Sequence, residues 1–198
     1  MPPPLFLLLL CLGAFLLGSV PFGFLAGKLR KVDLRTSGSG NIGASNAFRL
    51  LGKRAGAAVL LLDTLKGWLP IFAAVRLKLS PEWIVGVGLC AVLGHIYSPW
   101  VRFKGGKGVA TSLGVLLGLA PILAGLTLLI FGVAFYLSGK RVSVGSMIGA
   151  LSAAAMFWLW PNTPRPFAAL VTLAAIFIVA RHRENLKRLF KGEEKPLF

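Results

Sequence analysis

The chain has 198 residues, of which 56% are hydrophobic and 14% charged, and its mean hydropathy is +0.79. Since soluble domains carry about 25% charged residues, this composition excludes an ordinary water-soluble protein and indicates an integral membrane protein. The net charge of +16 does not indicate nucleic-acid binding, because the bases stand in short segments beside apolar runs, as in cytoplasmic loops of membrane proteins.

The apolar runs, taken in chain order, predict the membrane helices. The first run, 5–27, has no base before it, whereas a secretory signal peptide begins with a positive segment, so we expect a retained helix. The run 55–75 reaches the roughly 20 residues that a bilayer-spanning helix needs. The further runs are 82–97, 109–137, 142–160 and 166–180. No long polar linker separates them, and we therefore expect a single membrane-embedded domain over residues 1–198.

The long run 109–137 decides the topology. As one helix it would place the basic segment 28–54 and the basic C-terminal tail on opposite sides of the membrane. A turn at Pro121, where a helix is expected to end, puts both on one side, as the excess of Lys and Arg in cytoplasmic loops requires. We therefore predict an all-α bundle of about seven transmembrane helices, with a periplasmic N-terminus and a cytoplasmic C-terminus. The span 109–120 is only about 18 Å long, and we expect it to begin inside a cavity.

The first glycine-rich segment is SGSGNIGASNAFR, residues 37–49. Glycine allows successive N–H groups to point into one concavity, and such concavities bind anions. Arg49 can place two parallel hydrogen bonds on a phosphate, and a helix that starts within 43–46 would point its positive end at the same anion. The other candidate ligands are Ser37, Gly38, Ser39, Gly40, Asn41, Gly43, Ser45 and Asn46. The alternative is a flexible, solvated connector.

The second glycine-rich segment is SPWVRFKGGKG, residues 98–108. It lacks the spacing of a Walker loop, but its cations and glycines suit a phosphate. The candidates here are Ser98, Lys104, Gly105, Gly106, Lys107 and Gly108. A positively charged membrane anchor is the alternative.

His95, three residues before Ser98, is either a group that moves a proton or a hydrogen-bonded residue at a helix end.

Three further sites carry polar groups beside apolar runs. Asp63 and Lys66 stand three residues apart and share one helix face, where they either form a structural ion pair or line a cavity. Ser143 opens its span and is either an N-cap or a ligand at the same cavity. The segment RHRENLKRL supplies His182 and Asn185 as candidate substrate ligands, and Glu184 as a structural residue that holds the loops by hydrogen bonds.

The chain has no evident strong nucleophile. It has no G-x-S-x-G elbow, no HExxH motif and no cysteine cluster, and Cys11 and Cys90 lie inside apolar runs as packing thiols. We therefore expect no metal and no cofactor, and a reaction that uses an already activated substrate.

Three segments together resemble the signatures of the bacterial acyl-phosphate:glycerol-3-phosphate acyltransferase family: GSGNIGASNAFR, GHIYSPWVRFKGGKGVATSLG and RHRENLKRL. LLDTLKG and RVSVGS are also similar to that family. The resemblance implies an inner-membrane enzyme, with its active site facing the cytoplasm, that moves a fatty acyl group from acyl phosphate to the 1-hydroxyl of glycerol 3-phosphate. The products would be lysophosphatidic acid and phosphate.

The resemblance also implies roles for individual residues. The first motif of the family carries an essential serine, here Ser37 or Ser39, and an essential arginine, Arg49. Residues 104–108 would bind glycerol 3-phosphate, and Glu184 and Asn185 would serve integrity. With His95 and Lys104 added, the candidate catalytic residues are Ser37, Ser39, Arg49, His95 and Lys104.

The expected partners are fatty acyl phosphate, glycerol 3-phosphate and membrane lipids, and the enzyme that forms acyl phosphate is a further candidate. Because an acyl phosphate already has a good leaving group, no covalent acyl-enzyme is expected. The alternative function is a small membrane transporter for an organic phosphate anion. Against it, the anion-binding groups gather on one face rather than at the membrane midplane.

Overall fold

The computed structural model describes residues 3–197, and all regular structure within that range is helical. The helices are α1 (Pro4–Ser19), α2 (Phe22–Leu29), α3 (Ala44–Leu51), α4 (Lys53–Arg76), α5 (Pro81–Ile96), α6 (Val109–Leu119), α7 (Pro121–Leu137), α8 (Val142–Leu159), α9 (Arg165–Arg181) and α10 (Arg183–Phe190). A short 3₁₀ turn, Pro99–Val101, lies between α5 and α6. The predicted all-α architecture is confirmed.

Proline sets two of the boundaries on which the predicted topology depends. α5 begins at Pro81 and α7 at Pro121, the helix position where proline is tolerated because its missing N–H has no helical partner. Between α6 and α7, Ala120 leaves the helical conformation with φ −153° and ψ 86°. The helix break predicted at Pro121 is therefore present.

The described residues contain four helical segments that are long and apolar enough to cross a membrane on their own: residues 4–29, α4, residues 81–101 and α8. α9 and α10 form a further pair, bent by 53°. α6 and α7 are apolar but shorter than 18 residues. By length and hydropathy alone, the described helices therefore supply fewer spans than predicted.

The chain nevertheless reverses between α6 and α7. Lys107, just before α6, donates a hydrogen bond from Nζ to Asn185 Oδ1. Lys140, just after α7, accepts one at its carbonyl from the Leu197 N–H at 2.9 Å. Both contacts lie at the end of the bundle that holds the C-terminal tail, so α6 leaves this end and α7 returns to it. Seven crossings and the orientation of the termini remain predictions.

Small residues bring the helices into close contact. Gly18 on α1 packs on the backbone of Ala91 on α5, and Gly94 packs back on α1. Gly67 on α4 and Gly114 on α6 pack on the backbone of each other's helix in the same way. A methyl group at any of these glycines would collide with backbone atoms, so they set the helix separations, as small residues commonly do in membrane bundles.

Candidate active site

A cavity of about 400 Å³ lies at the end of the bundle that holds the C-terminal tail. Its wall includes side chains from α3 to α8, from the junction of α9 and α10, and from the tail. The predicted site residues that the structure brings together here are Ser39, Asn41, Gly43, Ser45, Asn46, Arg49, Asp63, His95, Lys107, Gly108, Ser143, His182 and Asn185. Residues from five separate parts of the sequence therefore share one space.

Three helices begin at the cavity wall. The first residues of α3, α6 and α8, namely Ala44, Val109 and Val142, all line it. N–H groups in the first turn of a helix have no partner within that helix, and this end carries a partial positive charge. Helix N-termini commonly bind phosphates and carboxylates. The backbone alone therefore makes this cavity attractive to anions, before any lysine or arginine is considered.

Asn46 organises the first glycine-rich segment. It is buried, its Oδ1 accepts the Ser39 N–H at 3.0 Å, and its Nδ2 donates to the carbonyls of Leu34 at 3.1 Å and Ser37 at 3.0 Å. These bonds use the amide that was predicted to bind substrate. Asn46 therefore supports the loop, and what it presents to the cavity is the helix end on which it stands.

The predicted serines of this segment separate in the structure. Ser39 lines the cavity, while Ser37, Gly38 and Gly40 are not among the described residues of its wall. Gly38 and Gly40 have φ of +62° and +68°, which strain any residue with a Cβ. The two glycines therefore shape the turn that presents Ser39, and Ser39 is the better placed of the two candidate serines.

The second glycine-rich segment differs from the expected anion nest. The Gly105 N–H donates to the Ile96 carbonyl at 3.0 Å, and the Gly106 N–H donates to the His95 carbonyl at 3.2 Å. A methyl group on Gly106 would collide with the His95 imidazole. These amides are thus occupied, and the glycines serve close packing against the end of α5 rather than ligand binding.

The cations of this segment point to different places. Lys107 lines the cavity. Burial lowers its pKa to about 8, although the negative charge of Glu194 acts to raise it. Lys104 is exposed, and it is not among the described residues of the wall. Ser98 is buried and donates to the Ser19 carbonyl at 2.6 Å, so it holds the loop on α1. The role predicted for Lys104 thus fits Lys107 better.

Arg49 is engaged by the C-terminal tail. Its Nε donates to the Pro196 carbonyl at 3.3 Å and its Nη2 to the Lys195 carbonyl at 3.1 Å. Burial lowers the pKa of its guanidinium, although the Glu194 charge opposes this. Because carbonyls are neutral acceptors, a phosphate that entered the cavity would be a stronger partner for this fork of donors.

Glu194 is a site residue that sequence reasoning missed. It is 6% exposed, and its Oε1 accepts from Ser143 Oγ at 2.8 Å and from Asn185 Nδ2 at 2.6 Å. Its Oε2 accepts from Arg188 Nε at 2.7 Å. Burial acts to raise the pKa of Glu194, but the hydrogen bonds from Asn185, Arg188 and Ser143 outweigh it and hold that pKa below its ordinary value.

This arrangement corrects the role predicted for Glu184. That carboxylate is exposed at the surface of α10, where Lys187 Nζ lies 3.2 Å from its Oε1. The holding function expected of Glu184 is carried by Glu194, ten residues later. No periodicity marks Glu194, since the tail that carries it has no regular structure.

Ser146 was also missed, although it lines the cavity and stands one helical turn after Ser143 on the same face.

Asp63, in the cavity wall, belongs to a buried ion pair. Lys66 Nζ lies 2.7 Å from Asp63 Oδ1, which is the structural ion pair predicted as one of two alternatives. The same ammonium group donates to the Val20 carbonyl at 2.7 Å. That carbonyl stands at the break between α1 and α2, where it also accepts the Phe22 N–H at 3.2 Å, so the lysine stabilises the break. His95 Nδ1 lies 3.7 Å from the same Asp63 oxygen.

His182 has a defined tautomer. It is buried, and its Nδ1 lies 2.7 Å from the Ile178 carbonyl. Because a carbonyl can only accept a hydrogen bond, Nδ1 carries the proton and Nε2 is left as an acceptor. Burial, helped by the charge of Lys107, lowers the pKa of His182 to about 4, so near pH 7 the cavity contains a neutral imidazole that can accept a hydrogen bond from a hydroxyl.

One side of the cavity is apolar. Phe131 and Phe135 from α7 line it together with Leu60 from α4 and Phe48 from α3. The space thus combines an anion-attracting rim with a wall suited to a hydrocarbon chain, the two properties of an amphiphilic phosphate.

Residues 8–192 match the family model described as Glycerol-3-phosphate acyltransferase. The chain belongs to the glycerol-3-phosphate acyltransferase family. The family predicted from the sequence motifs is therefore confirmed, and with it an integral membrane acyltransferase.

Relatives support the assignment of this acyltransferase over its full length. The chain is 43% identical over 189 residues to "Glycerol-3-phosphate acyltransferase" of Geotalea daltonii, covering 94% of this chain and 95% of the relative. It is 46% identical over 204 residues to the protein of that name in Anaeromyxobacter dehalogenans, covering 100% of both.

Two solved structures share the fold of the acyltransferase. PlsY (YgiH), an integral membrane glycerol 3-phosphate acyltransferase, in its glycerol 3-phosphate form matches with a TM-score of 0.91 and 40% identity over 96% of this chain and 94% of that one. Its lysophosphatidic acid form matches with a TM-score of 0.87 and 39% identity over the same shares.

Proposed function

We propose that this acyltransferase moves a fatty acyl group from acyl phosphate to the 1-hydroxyl of glycerol 3-phosphate, giving lysophosphatidic acid and phosphate. The observation that carries the proposal is the cavity itself, which joins three helix N-termini and two cations to an apolar wall. Relatives of the same family name, and a solved relative in glycerol 3-phosphate and lysophosphatidic acid forms, support the acceptor and the product. The acyl phosphate donor is supported by the chemistry of the site.

Each reactant carries a phosphate, and the cavity offers two groups of anion ligands. Arg49 and the N-terminus of α3, with Ser39 and Ser45, form one group. Lys107 and the N-terminus of α6 form the other. Holding both reactants in register can lower the barrier by roughly 7–11 kcal/mol in favourable cases.

The reaction needs no nucleophile from the protein. The 1-hydroxyl oxygen attacks the acyl carbon, the bond from that carbon to the phosphate oxygen breaks, and phosphate leaves with the electron pair. The proton of the hydroxyl passes to a phosphate oxygen of the donor. His182 Nε2 is suited to accept a hydrogen bond from the attacking hydroxyl and so to orient it. Free N–H groups at the helix ends are suited to stabilise negative charge as it develops on the carbonyl oxygen.

A covalent acyl-enzyme is not part of the proposal. Cys11 and Cys90 pack beside the core between α1 and α5, on elements away from the anion ligands. Cys11→Ser and Cys90→Ser are therefore expected to retain turnover. An inactive but folded variant of either kind would contradict this step.

The proposed location is the bacterial inner membrane, with about seven crossings and the cavity open to the cytoplasm. Lys28, Arg30, Lys31, Lys140 and Lys191 stand at the cavity end, and the excess of bases there supports this orientation. The whole chain 1–198 would form the single catalytic domain. Its acyl phosphate would come from a soluble or membrane-bound enzyme that forms this mixed anhydride.

The experiment mixes the purified protein with palmitoyl phosphate and glycerol 3-phosphate, in micelles and in sealed vesicles. Equal amounts of lysophosphatidate and phosphate are expected in both. Uptake of glycerol 3-phosphate into vesicles with no product would instead establish the transporter alternative. Product from palmitoyl-coenzyme A with none from palmitoyl phosphate would refute the proposed donor.

A further inference from the structure

The turn Tyr97–Lys104, between α5 and α6, has an unusual backbone. Arg102 and Phe103 are consecutive residues with φ of +55° and +59°, in the left-handed region that residues with a Cβ seldom adopt. Such conformations persist only where the surrounding structure determines them, and they commonly mark segments with a function. The cavity does not account for this turn, since neither residue is among the described residues of its wall.

Hydrogen bonds hold the turn in this conformation. The Phe103 N–H donates to the Ser98 carbonyl at 2.8 Å and the Lys104 N–H to the Val101 carbonyl at 3.1 Å. Val101 is buried in a cluster that includes Leu34. The turn is thus a rigid platform, anchored by Val101, and it displays the side chains on either side of that anchor.

The displayed side chains are aromatic and basic. Trp100 and Phe103 are each 63% exposed, although large aromatic side chains are usually buried, and Tyr97 is also exposed. Arg102 and Lys104 stand between and beside them and are exposed as well. Interleaved aromatic and basic residues are typical of the boundary between hydrocarbon and headgroups in a membrane.

The place of the turn in the fold indicates what covers it. Trp100 Nε1 donates to Ser19 Oγ at 2.8 Å, and Ser98 Oγ donates to the Ser19 carbonyl. Ser19 ends α1, the first part of the span 4–29, and most of that apolar span is exposed on the outside of the bundle, as a lipid-facing helix would be. Leu29, at the end of α2, is 85% exposed. The exposed aromatics thus continue a surface that faces lipid.

Charge selects among lipids. Lys28, Arg30 and Lys31 at the end of α2 extend the positive charge of Arg102 and Lys104, because Val32 and Val101 pack in one cluster and hold these two segments together. Asp33, the nearby acid, is already paired with Arg35 at 2.8 Å. The surface is therefore complementary to negatively charged headgroups.

From these observations we infer that the turn Tyr97–Lys104 is a membrane-interface platform that inserts Trp100 and Phe103 at the headgroup boundary and binds anionic phospholipid through Arg102 and Lys104. The platform fixes the depth of α5 and α6, whose ends line the cavity and supply one anion site. The inference does not depend on the proposed reaction, since it concerns a surface outside the cavity.

The first test measures depth. A nitroxide is placed at Phe103→Cys in a background with Cys11→Ser and Cys90→Ser, in vesicles of phosphatidylethanolamine and phosphatidylglycerol. A matched label at Lys191→Cys, exposed at the end of α10, reports the aqueous value. The platform requires the label at 103 to be more accessible to oxygen, and less accessible to a polar nickel complex, than the label at 191. Equal accessibility would overturn insertion and would leave a protein partner as the occupant of the turn.

The second test measures lipid selectivity without a label. Native mass spectrometry of the detergent-solubilised protein follows retention of phosphatidylglycerol against phosphatidylcholine. Each base near an anionic surface contributes roughly fivefold in binding, so Arg102→Gln with Lys104→Gln is expected to weaken phosphatidylglycerol retention by about 25-fold. The matched control, Lys78→Gln with Arg165→Gln, changes two exposed bases at the opposite end of the bundle and is expected to leave it unchanged. Equal retention by the wild-type protein and the Arg102/Lys104 variant would overturn the anionic-lipid site.

Discussion

Glu194→Ala and Glu184→Ala form a pair that tests which carboxylate holds the cavity together. Glu194 accepts hydrogen bonds from Ser143, Asn185 and Arg188, whereas Glu184 lies at the surface beside Lys187. Both substitutions remove one carboxylate from the C-terminal region. The structure predicts that only the change at Glu194 destabilises the protein appreciably.

The magnitude follows from burial. Ser143 is 4% exposed and Asn185 is 6% exposed, so each would lose its acceptor in a place that water reaches poorly. A buried polar group left without a partner costs about 1–3 kcal/mol, which gives roughly 2–6 kcal/mol for the two. The Arg188 side chain is 35% exposed and can turn to water, so it adds little. Glu184→Ala, at a surface position, should change stability by less than about 0.5 kcal/mol.

The assay is thermal unfolding in detergent, followed by tryptophan fluorescence. At about 2–4 °C per kcal/mol, Glu194→Ala is expected to lower Tm by roughly 5–20 °C and Glu184→Ala by no more than about 2 °C. Since the hydrogen bonds lower the pKa of Glu194 in the folded protein, its contribution is present above its ordinary pKa of 4.5 and is lost as the pH falls through its lower folded value. Equal Tm values for the two variants near neutral pH would refute this account of the tail.

Three further outcomes follow from the site geometry. Because Lys107 has a pKa of about 8, kcat/KM for glycerol 3-phosphate should fall above about pH 8, and Lys107→Arg should remove that fall; a pH profile that is the same for both proteins would contradict the role of this cation. Gly106→Ala should destabilise the fold, because its methyl group collides with an imidazole, whereas Gly125→Ala, with open space around it, should not; thermal unfolding compares them. Ending the chain after Glu194 removes the two carbonyls that engage Arg49, so KM for glycerol 3-phosphate should fall, and a raised KM would show that the tail assists binding.

The apolar helices and the break at Pro121 could be predicted because the signals that set them are local, whereas the run 5–27, predicted as one helix, is broken into α1 and α2. Pro121 begins α7 directly after α6 ends, and the apolar runs follow the helices within a few residues. The number of membrane crossings is harder to predict from the sequence, since α6 and α7 are shorter than a typical span and depend on the bundle for their placement.

Most of the polar residues of the cavity could be predicted, but the roles of several of them could not. Gly105 and Gly106 were expected to present free amides, yet those amides bond to the end of α5, and only tertiary packing decides this. Lys104 and Lys107 are three residues apart and chemically alike, yet Lys104 is exposed and Lys107 lines the cavity. Glu194 lies in an irregular tail, and its partner Ser143 is distant in sequence, 51 residues away.

The measurement that tests the central claim most directly is a single-turnover reaction of the purified protein with palmitoyl phosphate. The account predicts that lysophosphatidate and phosphate form in equal amounts when glycerol 3-phosphate is added, and that intact-protein mass spectrometry finds no acylated protein before or during turnover. It also predicts that Arg49→Ala and Lys107→Ala, folded by the same thermal assay, lose most of this product. A palmitoylated protein that forms without acceptor and disappears when glycerol 3-phosphate is added would contradict direct transfer between two bound phosphates.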